Sequence, residues 1–296
     1  MKRAIIFLTT VFCFSATFSQ TINQKVKDGK GNVKLLGVIN KEGLTQAPFN
    51  VWFSKNHANY LGNDKIIEKL KDSLIDYEIV VFLGTWCGDS KREVPRFYNI
   101  LEATNFPEEQ LKVIAVDNEA KTYKQSPTGE EKGLNIHRVP TFIFYKNGKE
   151  INRIVESPVS SLERDILSIV SGEKYSPNYI GVSYLNRIIN SKSLDSLRLM
   201  EKKLVPRLSE FVMGSRELNT FGYVLLRSNQ FEKAAYVFDL NTKIFPYKYN
   251  VYDSLGEAYF EANKYKTALN NYTKVLELNP KDKNAKVMIE KIKDRM

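Results

Sequence analysis

Residues 84–95 read GTWCGDSKREVP. The stretch joins two segments of opposite character: EIVVFLG at 78–84 before it and SKREVPRFYNILEAT at 90–104 after it. An unbroken apolar run of that length is what a strand buried on both faces requires. The mixed pattern that follows predicts a helix kinked at Pro95, since proline removes one backbone donor and crowds the preceding turn. Cys87 therefore stands where a buried strand turns into a helix. Unsatisfied N–H groups and the helix dipole favour a thiolate there. Lys91 and Arg92 are expected to act in the same direction, and Asp89 against them.

Further strands and helices follow on either side. LKVIAVDN at 111–118 predicts a second buried strand, and VPTFIFYKNGKEINRIVE at 139–156 predicts a hairpin turning at Asn147-Gly148, the strongest short hairpin signal. SLERDILSIVSG at 161–172 predicts a helix, with Ser160 and Glu163 as a capping box and Gly172 as its stop. Between them, EAKTYKQSPTGEEKG at 119–133 is polar, contains Ser126-Pro127 and reads as an irregular loop. Upstream, VKLLGVIN at 33–40 predicts a strand and FSKNHANYLGN at 53–63 reads as a polar stretch. Asn63 is placed to cap a helix over 64–74, where Ile66, Ile67, Leu70 and Leu74 recur at helical spacing.

Residues 60–172 resemble a thioredoxin-like α/β domain. The resemblance rests on Trp86-Cys87-Gly88, on Pro95, on Val139-Pro140-Thr141 and on the Asn147-Gly148 hairpin. It implies a cis Pro140 facing Cys87, with Trp86, Val139 and Pro140 as the substrate-binding residues around a catalytic Cys87. Gly88, Asp89 and Ser90 complete the active-site turn. Three departures matter: Ser90 stands where family members carry a resolving cysteine, Asp89 replaces a proline, and Val81 occupies the place of a buried acid. With no second cysteine to deprotonate, Val81 makes chemical sense. Cys87 can alternatively be read as a small apolar residue kept for packing. His137 and Arg138 precede the proline loop, and His137 is read as a solvated loop residue rather than a catalytic one.

Beyond about residue 173 no strand pattern persists. NRIINSKSLDSLRLMEKKLVPRLSEFV at 186–212 predicts helix, with Pro206 as a break. The remainder repeats: Gly222 and Gly256, Ala234 and Ala268, Phe238 and Tyr272, and Pro246 and Pro280 each recur at one period of 34 residues. Residues 215–280 thereby resemble tetratricopeptide repeats, whose helix pairs have that period. Small residues let helices approach, Leu225 or Tyr259 and Phe238 or Tyr272 fill the gaps, and the prolines end each second helix. The inner face would carry Arg216, Asn219, Tyr223 and Arg227, then Asp253, Glu257, Phe260 and Glu261. That mixture of charges does not resemble a lysine-rich clamp for carboxylate tails. The region serves either as pure architecture or as a groove for a protein or peptide partner.

At the other end, Lys2 and Arg3 precede AIIFLTTVFCFSATF at 4–18, the layout of a signal peptide. Its removal after residue 19 would take Cys13 away and leave Cys87 as the one cysteine. Lys and Arg together would fall from 44 to 42 against 34 acidic residues, so the net charge would drop from +10 to +8. Those charges are interspersed, which argues for a solvated cationic surface and against nucleic-acid binding. Two histidines and one remaining cysteine cannot form the usual metal clusters, and no phosphate loop or nucleophile elbow is present. No metal, cofactor or lasting membrane span is expected.

The expected organisation is a signal peptide at 1–19, an N-terminal extension at 20–59, a thioredoxin-like domain at 60–172, a helical linker at 173–214, and an all-α tetratricopeptide-repeat domain with a capping helix at 215–296. The expected function is that of an exported thiol-disulfide protein, in the periplasm or secreted, working through one cysteine by mixed-disulfide formation. The alternative is a non-catalytic interaction scaffold.

Overall fold

The computed structural model describes residues 21–296. The signal segment and Cys13 lie outside the described residues. Six strands form one sheet: β1 (Gln24–Lys27), β2 (Val33–Ile39), β3 (Glu78–Leu83), β4 (Leu111–Ala115), β5 (Thr141–Lys146) and β6 (Lys149–Val155), in the order β1-β2-β4-β3-β5-β6. β3 and β4 run parallel, and the other neighbouring pairs are antiparallel. The β5–β6 turn has Asn147 and Gly148 both at positive φ (53° and 71°), the conformation the Asn-Gly pair predicts.

The apolar run at 78–84 is buried on both faces. Ile79, Val81 and Leu83 enter one core with α4 (Gly88–Ala103), α3 (Asp64–Ser73) and α5 (Leu162–Val170). Phe82 packs on the opposite face with Ile114, Val116, Ile136, Val139 and Ile143. That face is covered by the chain between β4 and β5, an irregular excursion as expected, pinned where Asp117 and Lys124 exchange backbone bonds with Gln125 and Asp117. α3 begins as predicted, with the Asn63 side chain accepting from the Ile66 N–H.

Four local expectations are corrected. The first half of the polar stretch at 53–63 belongs to a helix, α2 (Asn50–Ala58), held to α4 by Phe53 against Tyr98 (5.7 Å between rings) and by Asn56 Nδ2 donating to the Lys91 carbonyl at 3.0 Å. One buried aromatic and one amide anchor it, so it leaves no apolar stripe to read. α1 (Lys41–Thr45) precedes it. The Ser160–Glu163 capping box does not form. Ser161 is the N-cap without a side-chain bond, Asp165 accepts from the Val159 and Ser160 N–H groups, and Glu163 takes the Tyr60 hydroxyl. Pro206 does not break its helix either. It sits in the last turn of α7 (Leu194–Ser209), after α6 (Ile180–Ser191).

The rest is helical. α8 (Ser215–Arg227), α9 (Phe231–Ile244), α10 (Tyr249–Glu261) and α11 (Tyr265–Leu278) start at positions related by the 34-residue period, and α12 (Lys283–Lys293) closes the stack. Pro246 and Pro280 each follow the second helix of a pair by two residues. A Cβ on Gly222 would stand 2.4 Å from the Phe238 ring, and one on Gly256 would stand 3.0 Å from the Tyr272 ring. Those two glycines are what lets buried Phe238 and Tyr272 lie against the preceding helix. Ala234, Ala268 and Leu225 are buried in the same stack, with Tyr259 half-buried.

The fourth correction is His137, which is 3% exposed. Its ring meets Tyr179 at 5.7 Å and Phe221 at 6.4 Å, edge to face, where the sheet domain docks on the helices. Arg138 stacks over Tyr179 at 4.8 Å and pairs with Glu156 at 3.1 Å, and Gln125 Nε2 donates to the Arg227 carbonyl at 2.7 Å. Burial, reinforced by nearby cations, lowers the His137 pKa from 6.5 to about 3. Its folded pKa lies below its unfolded one, so the unfolded chain binds more protons between those values and stability falls as pH drops below 6.5. We expect wild type to lose about 2 kcal/mol more than His137→Gln between pH 7 and pH 5, at about 1.4 kcal/mol per pH unit well below 6.5. Denaturant melts of the two proteins across that range measure the difference, and parallel curves would contradict it.

Candidate active site

Cys87 is the N-cap of α4, in extended backbone (φ −88°, ψ 130°) and half-buried. Its N–H bonds the Gly84 carbonyl at 2.8 Å, and its carbonyl accepts the Lys91 N–H at 3.0 Å. The thiol donates to the Val139 carbonyl at 3.3 Å, and the Val139–Pro140 bond is cis. Cys87, Val139 and Pro140, distant in sequence, are thus brought together. Val139 is buried, so it presents backbone to the thiol rather than side chain.

Trp86 is fixed by its indole N–H donating to the Val116 carbonyl at 2.8 Å. The neighbouring Gly84 is needed for this, because a Cβ there would stand 2.4 Å from the indole. Gly88 is exposed, and a Cβ on it would meet nothing within 4 Å. Ser90 is fully buried and its hydroxyl accepts the Gly84 N–H at 3.1 Å. The residue in place of a second cysteine therefore has a structural bond of its own, closing the turn from inside.

The charges at the turn differ from the sequence expectation. Arg92 bonds Glu93 at 2.6 Å and Asp89 at 2.8 Å, and both anions raise its pKa. Its charge is spent along the helix, together with that of Asp89. Lys91 lines a groove of about 770 Å³ beside Trp86, with Thr85, Lys34 and Asn118. Val81 is 1% exposed on β3, so that position supplies no titratable group.

Two lysines escaped the sequence reading. Lys34, 4% exposed, is paired with Asp117 and bonded to Asn118 and Glu119. Lys124, 5% exposed, holds its ammonium over the rings of Trp86 (5.9 Å) and Tyr123 (5.2 Å). Burial, and next the Arg138 charge, push its pKa down to about 8. Neither has a sequence signal, since Lys34 stands near the start of a strand run and Lys124 in a polar loop.

On the repeats, three inner-face residues, Tyr223, Arg227 and Glu257, bond one another, and Asn219 and Asp253 are bonded from α9 and α12. Glu257 takes the Tyr223 hydroxyl at 2.9 Å and pairs with Arg227, Asn219 accepts from Asn241 at 2.7 Å, and Asp253 accepts from Asn284 at 2.8 Å. Tyr223, Arg227 and Glu257 also border a pocket of about 280 Å³ with Ala120 and Tyr123. The excursion beside Cys87 thus faces the inner side of the first repeat. No group of residues that could hold a metal occurs among the described residues, and no helix among them is long and apolar enough to cross a membrane.

The thioredoxin family model matches residues 61–168, and a tetratricopeptide repeat model matches residues 249–282. The chain is 31% identical over 140 residues to Thioredoxin H9 of Arabidopsis thaliana, covering 46% of this chain and 92% of that protein. It is 30% identical over 105 residues to Thioredoxin of Malassezia sympodialis, covering 36% and 82%. Against Thioredoxin-1 of Schizosaccharomyces pombe it is 31% identical over 88 residues, covering 30% and 76%. With its strand-turn-helix at Cys87, its cis Pro140 loop and these relatives, the chain belongs to the thioredoxin family, with tetratricopeptide-repeat helices following that domain.

Proposed function

We propose that this is an exported thiol-disulfide protein acting through Cys87 alone, with the repeats holding a protein or peptide partner. The observation that carries the reading is the placement of the Cys87 thiol, half-buried at a helix N-terminus and 3.3 Å from the carbonyl before cis Pro140. As thiolate, Cys87 attacks a partner disulfide, forms a mixed disulfide and releases the other sulfur as a thiol. Ser90 cannot attack that bond, so an external thiol must. Trp86, Val139 and Pro140 border the entering chain. Export rests on Lys2, Arg3 and the apolar run at 4–18.

Ser90→Cys tests the monothiol step. The variant places a second thiol one helical turn beyond Cys87 and gives up the hydroxyl that accepts from Gly84, at a stability cost of about 1 kcal/mol. It is expected to release its own mixed disulfides and to turn over disulfide reduction with an added dithiol. The parent should accumulate the adduct. Equal adduct lifetimes in the two proteins would refute a resolving role for position 90. The scaffold reading has its own support in buried Ser90, whose hydroxyl closes the turn where a second thiol would stand, and it predicts that partner retention is indifferent to Cys87.

A further inference from the structure

We infer that Lys124 is the proton carrier for thiol-disulfide exchange at Cys87, supplying from the β4–β5 excursion what β3 lacks at Val81. The inference rests on the mixed-disulfide reading above. It starts from a contrast between two buried lysines. Lys34 is surrounded by Asp117, Asn118 and Glu119, and its pKa is raised even though burial opposes the charge. Lys124 is as deeply buried, yet among the described residues its ammonium has no hydrogen-bond or carboxylate partner, only the faces of Trp86 and Tyr123.

The Lys124 ammonium lies over Trp86, the residue before Cys87, and the charges that act on it come from several elements. Cys87 comes from the head of α4, Arg138 from the segment before β5, Glu156 from the end of β6, and Tyr123 from its own loop. His137 also feels its charge and stays neutral. The carboxylate in this set, Glu156, is already taken by Arg138 and by the Tyr179 hydroxyl. One cation in the set is therefore left for Cys87 to balance. A thiolate does so, and a mixed disulfide does not. Formation of the covalent adduct removes the negative charge that makes a buried ammonium tolerable, which is the moment to give up a proton.

The lysine is also held in place. Its backbone lies in the left-handed region (φ 57°), its N–H bonds the Asp117 carbonyl at 2.8 Å, and the following Gln125 reaches the Arg227 carbonyl on α8. A flexible surface lysine has no such clamp. Its pKa of about 8 suits a group that must both give and take a proton near neutrality.

The exchange balances as follows. The Cys87 thiolate attacks one sulfur of R–S–S–R′, the new Cys87 S–S–R bond forms, and the S–S–R′ bond breaks. The departing R′ thiolate takes a proton from the Lys124 ammonium and leaves as R′–SH. An external thiol R″–SH then gives its proton to the neutral Lys124 amine and attacks the R sulfur. It leaves as R″–S–S–R, restoring the Cys87 thiolate and the ammonium.

The test uses the full chain and a neutral probe, 2-hydroxyethyl disulfide, so that attraction of a charged substrate plays no part. Adduct formation on Cys87 is followed by intact mass from pH 6 to 9.5 in wild type, Lys124→Gln and Lys124→Arg. Wild type is expected to slow above about pH 8, relative to the rise in thiolate, as Lys124 loses its proton. Both variants should lack that inflection and be about tenfold or more slower at pH 7, a small share of what positioned proton transfer contributes. Arginine keeps the charge but does not release a proton in this range. If Lys124→Arg matched wild type, charge alone would suffice and proton transfer would be overturned. Identical profiles in wild type and Lys124→Gln would overturn it equally and leave the mixed-disulfide reading standing. No adduct in wild type would remove that reading and this inference together.

Discussion

Cys87→Ala is expected to abolish covalent partner capture completely while leaving the fold intact. Cys87 is half-buried at the rim of the smaller core, and its backbone bonds to Gly84 and Lys91 do not depend on the side chain. The thiol's bond to the Val139 carbonyl is lost, and a thiol is a weak donor, so the stability change should stay within about 1 kcal/mol. Function and stability are therefore separable at this residue. Partners retained covalently by wild type in non-reducing gels should disappear from the variant, with a melting temperature lowered by no more than about 4 °C. Adducts that persist in Cys87→Ala would mean that the chemistry lies elsewhere.

The second large effect is expected at the far end of the molecule. Ending the chain at Pro280 removes α12, whose Ala285 and Ile292 are fully buried and whose Met288 and Ile289 pack on Ala268, Tyr272 and Val275. Ile292 alone accounts for roughly 2 to 3 kcal/mol of burial, and the partly buried neighbours bring the loss to about 5 kcal/mol. Stacked repeats depend on neighbour contacts, so the loss should fall first on α10 and α11. Helical signal should melt early or the protein should aggregate, whereas β3, α4 and the Cys87 turn keep their core. A truncated chain that melts like the full one would show that α12 is not a cap.

Much of this was legible in the sequence because it depends on local rules. The run at 78–84 needed only its length and apolarity to be read as a central strand, and Asn147-Gly148 needed only its tolerance of positive φ. The repeats were legible because Gly222 and Gly256 have to be small against Phe238 and Tyr272, which imprints a period. What escaped depends on contacts across the chain. α2 has one buried aromatic and one part-buried amide bond, a pattern that any polar stretch can contain. His137 is buried by Tyr179 and Phe221, which come from another part of the molecule. Lys124 matters because the excursion returns to Trp86, and nothing in TYKQ announces that return. Arg92 was misread for the same reason: residue type gives its charge, and only its rotamer shows that Asp89 and Glu93 consume it.

The central claim is that Cys87 is a working nucleophile, and its bimolecular rate with a small disulfide measures this most directly. Excess 2-hydroxyethyl disulfide at pH 7, with adduct followed by intact mass, gives that rate for the folded protein. The same measurement on the protein unfolded in denaturant gives the rate of an ordinary thiol in the same sequence. With Cys87 at the N-terminus of α4 and the Lys124 ammonium over the neighbouring Trp86, the folded protein should react about tenfold faster or more. A folded rate equal to or below the unfolded one would contradict the account and leave the scaffold reading in its place.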